Sequence, residues 1–142
     1  MDEPINLDAV IRELRILNEL VPKPMRLPTP QEVKSAEEKL GIQFHPDYRR
    51  FLLEASDAVV GVLEPATLTI PGDYTDLMNV CETAWKNYGV PKELLPICED
   101  NGDFFCMNTH GEVVFWSHNG WTSEKWPNLA SWIKDVWIGE SS

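Results

Sequence analysis

The sequence predicts a single α+β domain in which most of the helices come first and a small antiparallel sheet follows. Its 142 residues match the commonest size of one domain. Apolar residues recur at helical spacing through most of the first ninety residues, whereas short apolar runs separated by Asp, Asn and Gly begin near residue 95. Helices and strands that are largely separated along a chain are typical of an α+β fold.

The first predicted helix carries one apolar face, and Asn6 is placed to cap its start. The residues of that face are Leu7, Val10, Ile11, Leu14, Leu17 and Val21. The following stretch, residues 21–30, holds four prolines. Because each proline fixes φ and lacks an amide donor, this stretch is predicted to be an extended connector.

Two further helices follow the connector. Thr29, Pro30 and Glu32 spell a capping box with proline at the first helical position, and Gly41 is placed to end that helix. Pro46 then restarts a helix. The apolar face of this third helix consists of Tyr48, Phe51, Leu52 and Ala55.

The middle of the chain is predicted to contain two strands and another helix. Residues 59–63 and 66–70 are β-branched or apolar runs bounded by Gly, Pro and Glu, which favours strands. Residues 73–88 show helical spacing, and Gly89 with Pro91 ends the pattern. The apolar face of that helix consists of Leu77, Val80, Cys81, Ala84, Trp85 and Tyr88.

From residue 95 the pattern predicts a three-stranded meander over residues 95–98, 104–107 and 113–116. The segment between the first two strands contains Asn101 and Gly102, a pair typical of tight hairpin turns. Residues 121–126 are predicted to be a loop. Asn128 can cap a last helix, whose inward residues would be Leu129, Trp132, Ile133 and Val136.

The net charge of −11 is concentrated in one part of the chain. Residues 1–50 hold nine acids and eight bases (−1), whereas residues 51–142 hold fourteen acids and four bases (−10). Such a charge repels phosphate, so direct binding to nucleic acid or to an anionic membrane is not expected. An acidic surface can serve solubility alone, or it can attract a basic partner.

The first residues and the cysteines indicate a cytoplasmic protein. Asp2, Glu3 and Asp8 stand where a secretory signal would carry Lys or Arg, and no apolar run approaches the length needed to cross a bilayer. Three widely spaced cysteines are more typical of reduced thiols than of a disulfide framework.

No metal site, cofactor or catalytic centre is expected. The candidate zinc ligands are Cys98, Cys106, His110 and His118. If residues 101 and 102 form a two-residue turn, Cys98 pairs with Phe105 and Ile97 with Cys106, so the two thiols point to opposite sheet faces. Glycine-rich phosphate loops, nucleophile elbows and deaminase signatures are missing, and the acidic turn at residues 99–103 matches a calcium loop poorly.

Several segments, taken in order, resemble the SUKH superfamily, the Smi/Knr-type domain. Residues 36–52, AEEKLGIQFHPDYRRFL, resemble its opening signature, in which an E-x-x-L-G helix end precedes an L-P-x-x-Y-x-x-F-L helix. The segments LPIC at 95–98, NGDFFC at 101–106, GEVVFWSH at 111–118 and LASWI at 129–133 resemble its tail. The sequence departs from the pattern at residues 44–46, which replace Leu-Pro, and at residues 56–58, which stand where Asn-Gly is common.

The resemblance covers residues 29–137 and implies one domain, with a twisted, largely antiparallel β-sheet flanked by α-helices. It also implies a binding role without catalytic residues. Bacterial members resemble immunity proteins that neutralise polymorphic or contact-dependent toxins, often nucleases, and a yeast relative acts in cell-wall synthesis signalling. An acidic inhibitor would complement the basic groove that a nuclease presents to phosphate.

These observations lead to two functional hypotheses without catalysis; an enzyme is a third, which the missing catalytic signatures do not favour. The first is an immunity protein for a basic toxin domain; the second is a scaffold or regulatory module with a different protein partner. The predicted contact residues are Asp57, Glu99, Asp100, Asp103, Glu112, Trp116 and Trp121. Whether Trp116, Trp121 and Trp126 belong to the core or to an interface is left open by the sequence.

Overall fold

Four antiparallel strands form one sheet, with the strands side by side in chain order. The computed structural model describes residues 6–18, 26–58, 63–68, 75–100, 102–117 and 120–139. The strands are β1 (Leu95–Asp100), β2 (Asp103–Met107), β3 (Val113–Ser117) and β4 (Gly120–Trp126). The helices are α1 (Leu7–Asn18), α2 (Pro30–Leu40), α3 (Pro46–Ala55), α4 (Leu77–Glu82, continued as a π-helical turn over Thr83–Asn87) and α5 (Leu129–Trp132, continued likewise over Ile133–Ile138). The predicted α+β class is confirmed.

Local signals set the start of α1 and both ends of α2. The side chain of Asn6 accepts a hydrogen bond from the Asp8 amide at 2.7 Å, as predicted for α1. The hydroxyl of Thr29 accepts from the Glu32 amide, and the Glu32 carboxylate accepts from the Thr29 amide, which confirms the capping box of α2. Gly41 ends α2 at φ 69°. Val21 and the connector up to residue 25 lie outside the described residues.

Helix α3 buries the predicted face and begins at an unexpected cap. Tyr48 and Phe51 are buried, as are Leu52 and Ala55. The N-cap is His45, whose Nδ1 accepts from the Asp47 amide at 3.1 Å. Sequence reasoning missed this role, because histidine is not among the preferred N-cap residues.

In its described residues, the middle segment contains less regular structure than predicted. Within the described part of residues 59–70, Pro65 and Thr67 form isolated bridges instead of strands. The predicted helix over 73–88 begins at Leu77, where the Asp76 side chain caps it by accepting a hydrogen bond from the Met78 amide. The backbone of Thr67 takes up the groups on either side of Asp76, because its amide donates to the Thr75 carbonyl and its carbonyl accepts from the Leu77 amide. Its last predicted core residue, Tyr88, is 41% exposed. Residues 59–62 and 69–74 lie outside the described residues.

The sheet has one strand more than the predicted meander, and one predicted pair is wrong. Residues 121–126 belong to β4, which pairs with β3 through Val114 and Lys125, among others. The polar residues of this segment give no strand signal in the sequence, because the strand depends on its pairing with β3. Cys98 pairs with Phe105 as predicted, but Cys106 lies opposite Pro96, because β1 bulges at Ile97 next to a residue that lacks an amide donor.

The two faces of the sheet carry different aromatic clusters. On one face, the Phe105 ring centroid lies 5.3 Å from that of Trp132 in α5 and 5.8 Å from that of Trp126. On the other face, Phe104 lies 5.3 Å from Tyr88 and 6.1 Å from Trp116. The first face is covered by the α5 region, whereas α4 covers β1 on the second face and leaves Trp116 half-buried.

Candidate functional site

The sheet topology divides the predicted contact residues between two ends. In an antiparallel meander, the turns after β1 and β3 lie at one end, and the turn after β2 lies at the other. Glu99, Asp100 and Asp103 therefore lie at the same end, which we call the acidic end. Glu112 lies at the opposite end, about 13 Å away along a five-residue strand.

The acidic end also carries an aromatic row that runs across the strands. Glu99 pairs with Phe104, Phe104 with Trp116, and Trp116 with Trp121. Residues that are directly opposite share a sheet face, so the exposed Glu99 begins a row that continues into Phe104 and Trp116. The row brings together predicted contact residues that lie more than fifteen positions apart.

A cavity of about 340 Å³ opens between this row and α4 with its π-helical continuation. It is lined by Asn79, Val80, Thr83, Tyr88, Glu99 and Phe104. The Glu99 Oε1 atom accepts a hydrogen bond from the Gly102 amide at 2.9 Å, which anchors the carboxylate at the turn. Sequence reasoning missed Asn79, Thr83 and Tyr88 as lining residues; the only signal was their helical spacing before β1.

Glu112 is engaged in local interactions at the other end of the sheet. Asn108 donates to Glu112 Oε1 at 2.9 Å, and Lys125 Nζ lies 3.3 Å from Glu112 Oε2. These contacts hold the pKa of Glu112 below its usual range, with the hydrogen bond from Asn108 as the main cause. The structure therefore separates Glu112 from the acidic end.

Asp57 is also separated from the acidic end. Its side chain is only 5% exposed and accepts a hydrogen bond from the Arg15 guanidinium of α1. It follows the last turn of α3, so the ion pair fastens α1 to α3. The expectation that Asp57 faces a partner together with the hairpin acids does not fit this geometry, because a buried and paired carboxylate adds little to the field outside the protein.

The open question about the tryptophans receives a partial answer. Trp126 packs on Phe105, on the face covered by α5, and contacts the core. Trp116 is half-buried against Phe104. For Trp121, the structure describes the backbone pairing with Trp116 and not the side chain.

The cysteines are placed as structural residues. Cys81, Cys98 and Cys106 are buried and free of disulfides, and burial raises the pKa of each thiol far above its usual value. In the part of the chain that the structure describes, no three His, Cys, Asp or Glu side chains come together in a way that could hold a metal ion. None of the described helices is long and apolar enough to cross a membrane.

The fold and its motifs match a known family over nearly the whole chain. The family model described as SMI1-KNR4 cell-wall (SUKH_5) matches residues 7–138. The chain belongs to the SMI1-KNR4 family. Family members of this SUKH type are generally non-catalytic and are often protein-interaction modules.

A solved structure supports the same assignment. A protein from Pseudomonas syringae pv. tomato, known from its crystal structure, is 43% identical, with a TM-score of 0.87. The similarity covers 93% of this chain and 98% of that one. None of the curated proteins matches the chain significantly.

Proposed function

We propose that the chain is a non-catalytic immunity protein that binds and neutralises a basic bacterial toxin domain, with nucleases as the best-suited class. The observation that carries this proposal is the acidic end, where Glu99 lines a cavity beside an aromatic row and Asp100 and Asp103 lie at the same turn. Negative charge beside partly exposed aromatic rings suits a protein surface that is basic and carries side chains to be buried. Membership of a family of protein-interaction modules is compatible with it.

The distribution of charge supports a basic partner. The four lysines after residue 50 are engaged locally. Three of them form ion pairs: Lys86 with Glu82, Lys125 with Glu112, and Lys134 with Glu13. The fourth, Lys92, places its Nζ atom 4.8 Å from the centroid of the Trp85 ring. A bound basic surface therefore meets few competing cations, and long-range attraction speeds the encounter.

The proposed contact set is narrower than the one expected from the sequence. It keeps Glu99, Asp100, Asp103 and Trp116, adds Tyr88, and retains Trp121 through its pairing with Trp116. It leaves out Asp57 and Glu112, which are engaged in ion pairs elsewhere. We further propose that the protein acts in the cytoplasm, where its three buried thiols stay reduced.

Growth rescue tests the proposal directly. Each reading frame beside the gene is expressed in a bacterial host, alone and together with this chain. One of them is expected to be toxic alone and harmless with the chain. Glu99→Lys is expected to slow association with that toxin about tenfold, whereas Glu38→Lys, the same change on an exposed position of α2, leaves the rate nearly unchanged.

Two results would contradict the proposal. One is a toxin that the chain neutralises with an association rate independent of salt and of Glu99→Lys, which would remove the acidic end from the mechanism. The other is the absence of any toxic neighbour, combined with altered sensitivity to cell-wall inhibitors when the gene is deleted. That second result would favour a regulatory module, the role to which the cell-wall description of the family points.

A further inference from the structure

The cavity at the acidic end has the size of a site for one side chain. Its volume of about 340 Å³ lies at the lower limit of small-molecule pockets, which start near ~300 Å³. One wall is Phe104, which is fully buried, and the Tyr88 ring stands edge-on to it at a centroid distance of 5.3 Å. Because Tyr88 is 41% exposed, its ring is accessible beside the cavity. An occupant would therefore contact the Tyr88 ring, with Phe104 packed behind it, and remain connected to solvent.

The polar groups of the cavity select for a cation that donates several hydrogen bonds. Glu99 supplies a carboxylate whose Oε1 already accepts from the Gly102 amide, which leaves further lone pairs for an incoming donor. Asn79 and Thr83 line the same cavity and carry side-chain oxygen acceptors. No Lys or Arg is among the lining residues in the described part of the chain.

Arginine fits this combination better than lysine does. A guanidinium is planar, donates through a rigid fork of N–H groups, stacks on aromatic rings and is weakly hydrated. An ammonium is compact and strongly hydrated, so its transfer to a half-closed cavity costs more. We propose that the cavity bordered by Glu99, Tyr88 and Phe104 is an anchor site for one arginine side chain of the protein partner. This assignment rests on the proposed function, and it names the chemistry that the partner must present.

The anchor can be tested without knowing the partner. The probe is N-acetyl-arginine-methylamide, followed by the amide signals of Gly102 and Thr83 in two-dimensional NMR spectra. We expect a dissociation constant on the order of millimolar, because a single side chain binds weakly. The neutral citrulline analogue, which has nearly the same shape, and the lysine analogue are expected to bind at least ~10-fold more weakly.

A conservative variant separates the charge from the fold. Glu99→Gln keeps an oxygen that can accept from the Gly102 amide and removes only the negative charge. We expect it to weaken arginine binding at least ~10-fold. The matched control is Glu82→Gln, which removes a charge from α4, the helix beside the cavity, at a position outside the lining, and should change binding by less than about twofold.

The outcomes distinguish the anchor from the wider proposal. Equal binding of arginine and citrulline analogues, or unchanged binding by Glu99→Gln, would overturn the arginine site even if toxin rescue succeeds. If arginine binding depends on Glu99 but growth rescue fails, the arginine site is supported and the immunity function is contradicted. A capped Gly-Gly-Arg-Gly-Gly peptide should bind at least as well as the single residue. Preferential binding of free L-arginine would instead indicate a small-molecule pocket and would reject the partner assignment.

Discussion

Replacing Gly111 by alanine should destabilise the protein through a close contact with the His45 ring. Gly111 lies in the turn between β2 and β3 with φ +84°, and a Cβ atom built there would approach His45 Nε2 to 2.5 Å. The histidine ring would have to move. Movement of the ring would break the N-cap of α3, in which His45 Nδ1 accepts a hydrogen bond from the Asp47 amide.

The expected magnitude combines two effects. Placing alanine at positive φ costs about 1–2 kcal/mol, and losing an N-cap costs about 1 kcal/mol. Gly111→Ala should therefore lower the free energy of unfolding by about 2–3 kcal/mol. Gly41→Ala is the matched control, since Gly41 has φ +69° and nothing within 4 Å of the added Cβ. It should show only the first effect, about 1–2 kcal/mol.

A double-mutant cycle in urea isolates the contact. His45→Ala removes the cap by itself, so the cap can be lost only once in the double variant. The double variant should then be more stable than additivity predicts by about 1 kcal/mol. The slope of unfolding free energy against urea should stay constant across the series. If Gly111→Ala costs no more than Gly41→Ala, or if the cycle is additive, the steric reasoning is refuted.

Three further predictions concern stability and reactivity. In urea titrations, Arg15→Ala should lower the unfolding free energy by about 1–3 kcal/mol, because it leaves the buried Asp57 carboxylate unpaired. The control Arg12→Ala, on the exposed side of α1, should lower it by less than about 0.5 kcal/mol. A hydrogen bond from Arg26 lowers the pKa of Glu32 from 4.5 to about 2. The depressed folded pKa stabilises the protein above pH 4.5, and this contribution disappears as the pH falls towards 2. Because the pair is exposed, Glu32→Gln should reduce the acid-induced loss of stability between pH 6 and pH 3 measurably, but by no more than about 1 kcal/mol, and an unchanged loss would contradict the assignment. All three cysteines should resist a thiol reagent at pH 8 in the folded protein and react once urea unfolds it, since burial raises the pKa of each thiol. Rapid labelling of the folded state would contradict their placement in the core.

Features that depend on neighbouring residues could be predicted from the sequence. The capping box at Thr29 and Glu32, the stop at Gly41 and the hairpin between β1 and β2 all form where local signals place them. The reason is physical: a cap or a tight turn needs only side chains and dihedral angles within a few residues.

Features that depend on distant partners could not be predicted. The β4 strand exists because β3 lies beside it, while its own sequence is largely polar. The helix predicted from residue 73 begins only at Leu77, because Thr67, ten residues earlier, bonds to the backbone next to Asp76. Competition from such tertiary hydrogen bonds overrides local propensity.

The candidate site shows the same division. The sequence alone determined that the acidic excess lies after residue 50, and on that ground it predicted a basic protein partner in preference to nucleic acid. The tertiary structure decided which acids lie together: Glu99, Asp100 and Asp103 share one end of the sheet, Glu112 lies at the other, and Asp57 is buried against Arg15. Net charge is a sum over the residues of a chain, whereas a binding surface depends on strand direction, register and burial, which are fixed only when the distant parts of the chain meet.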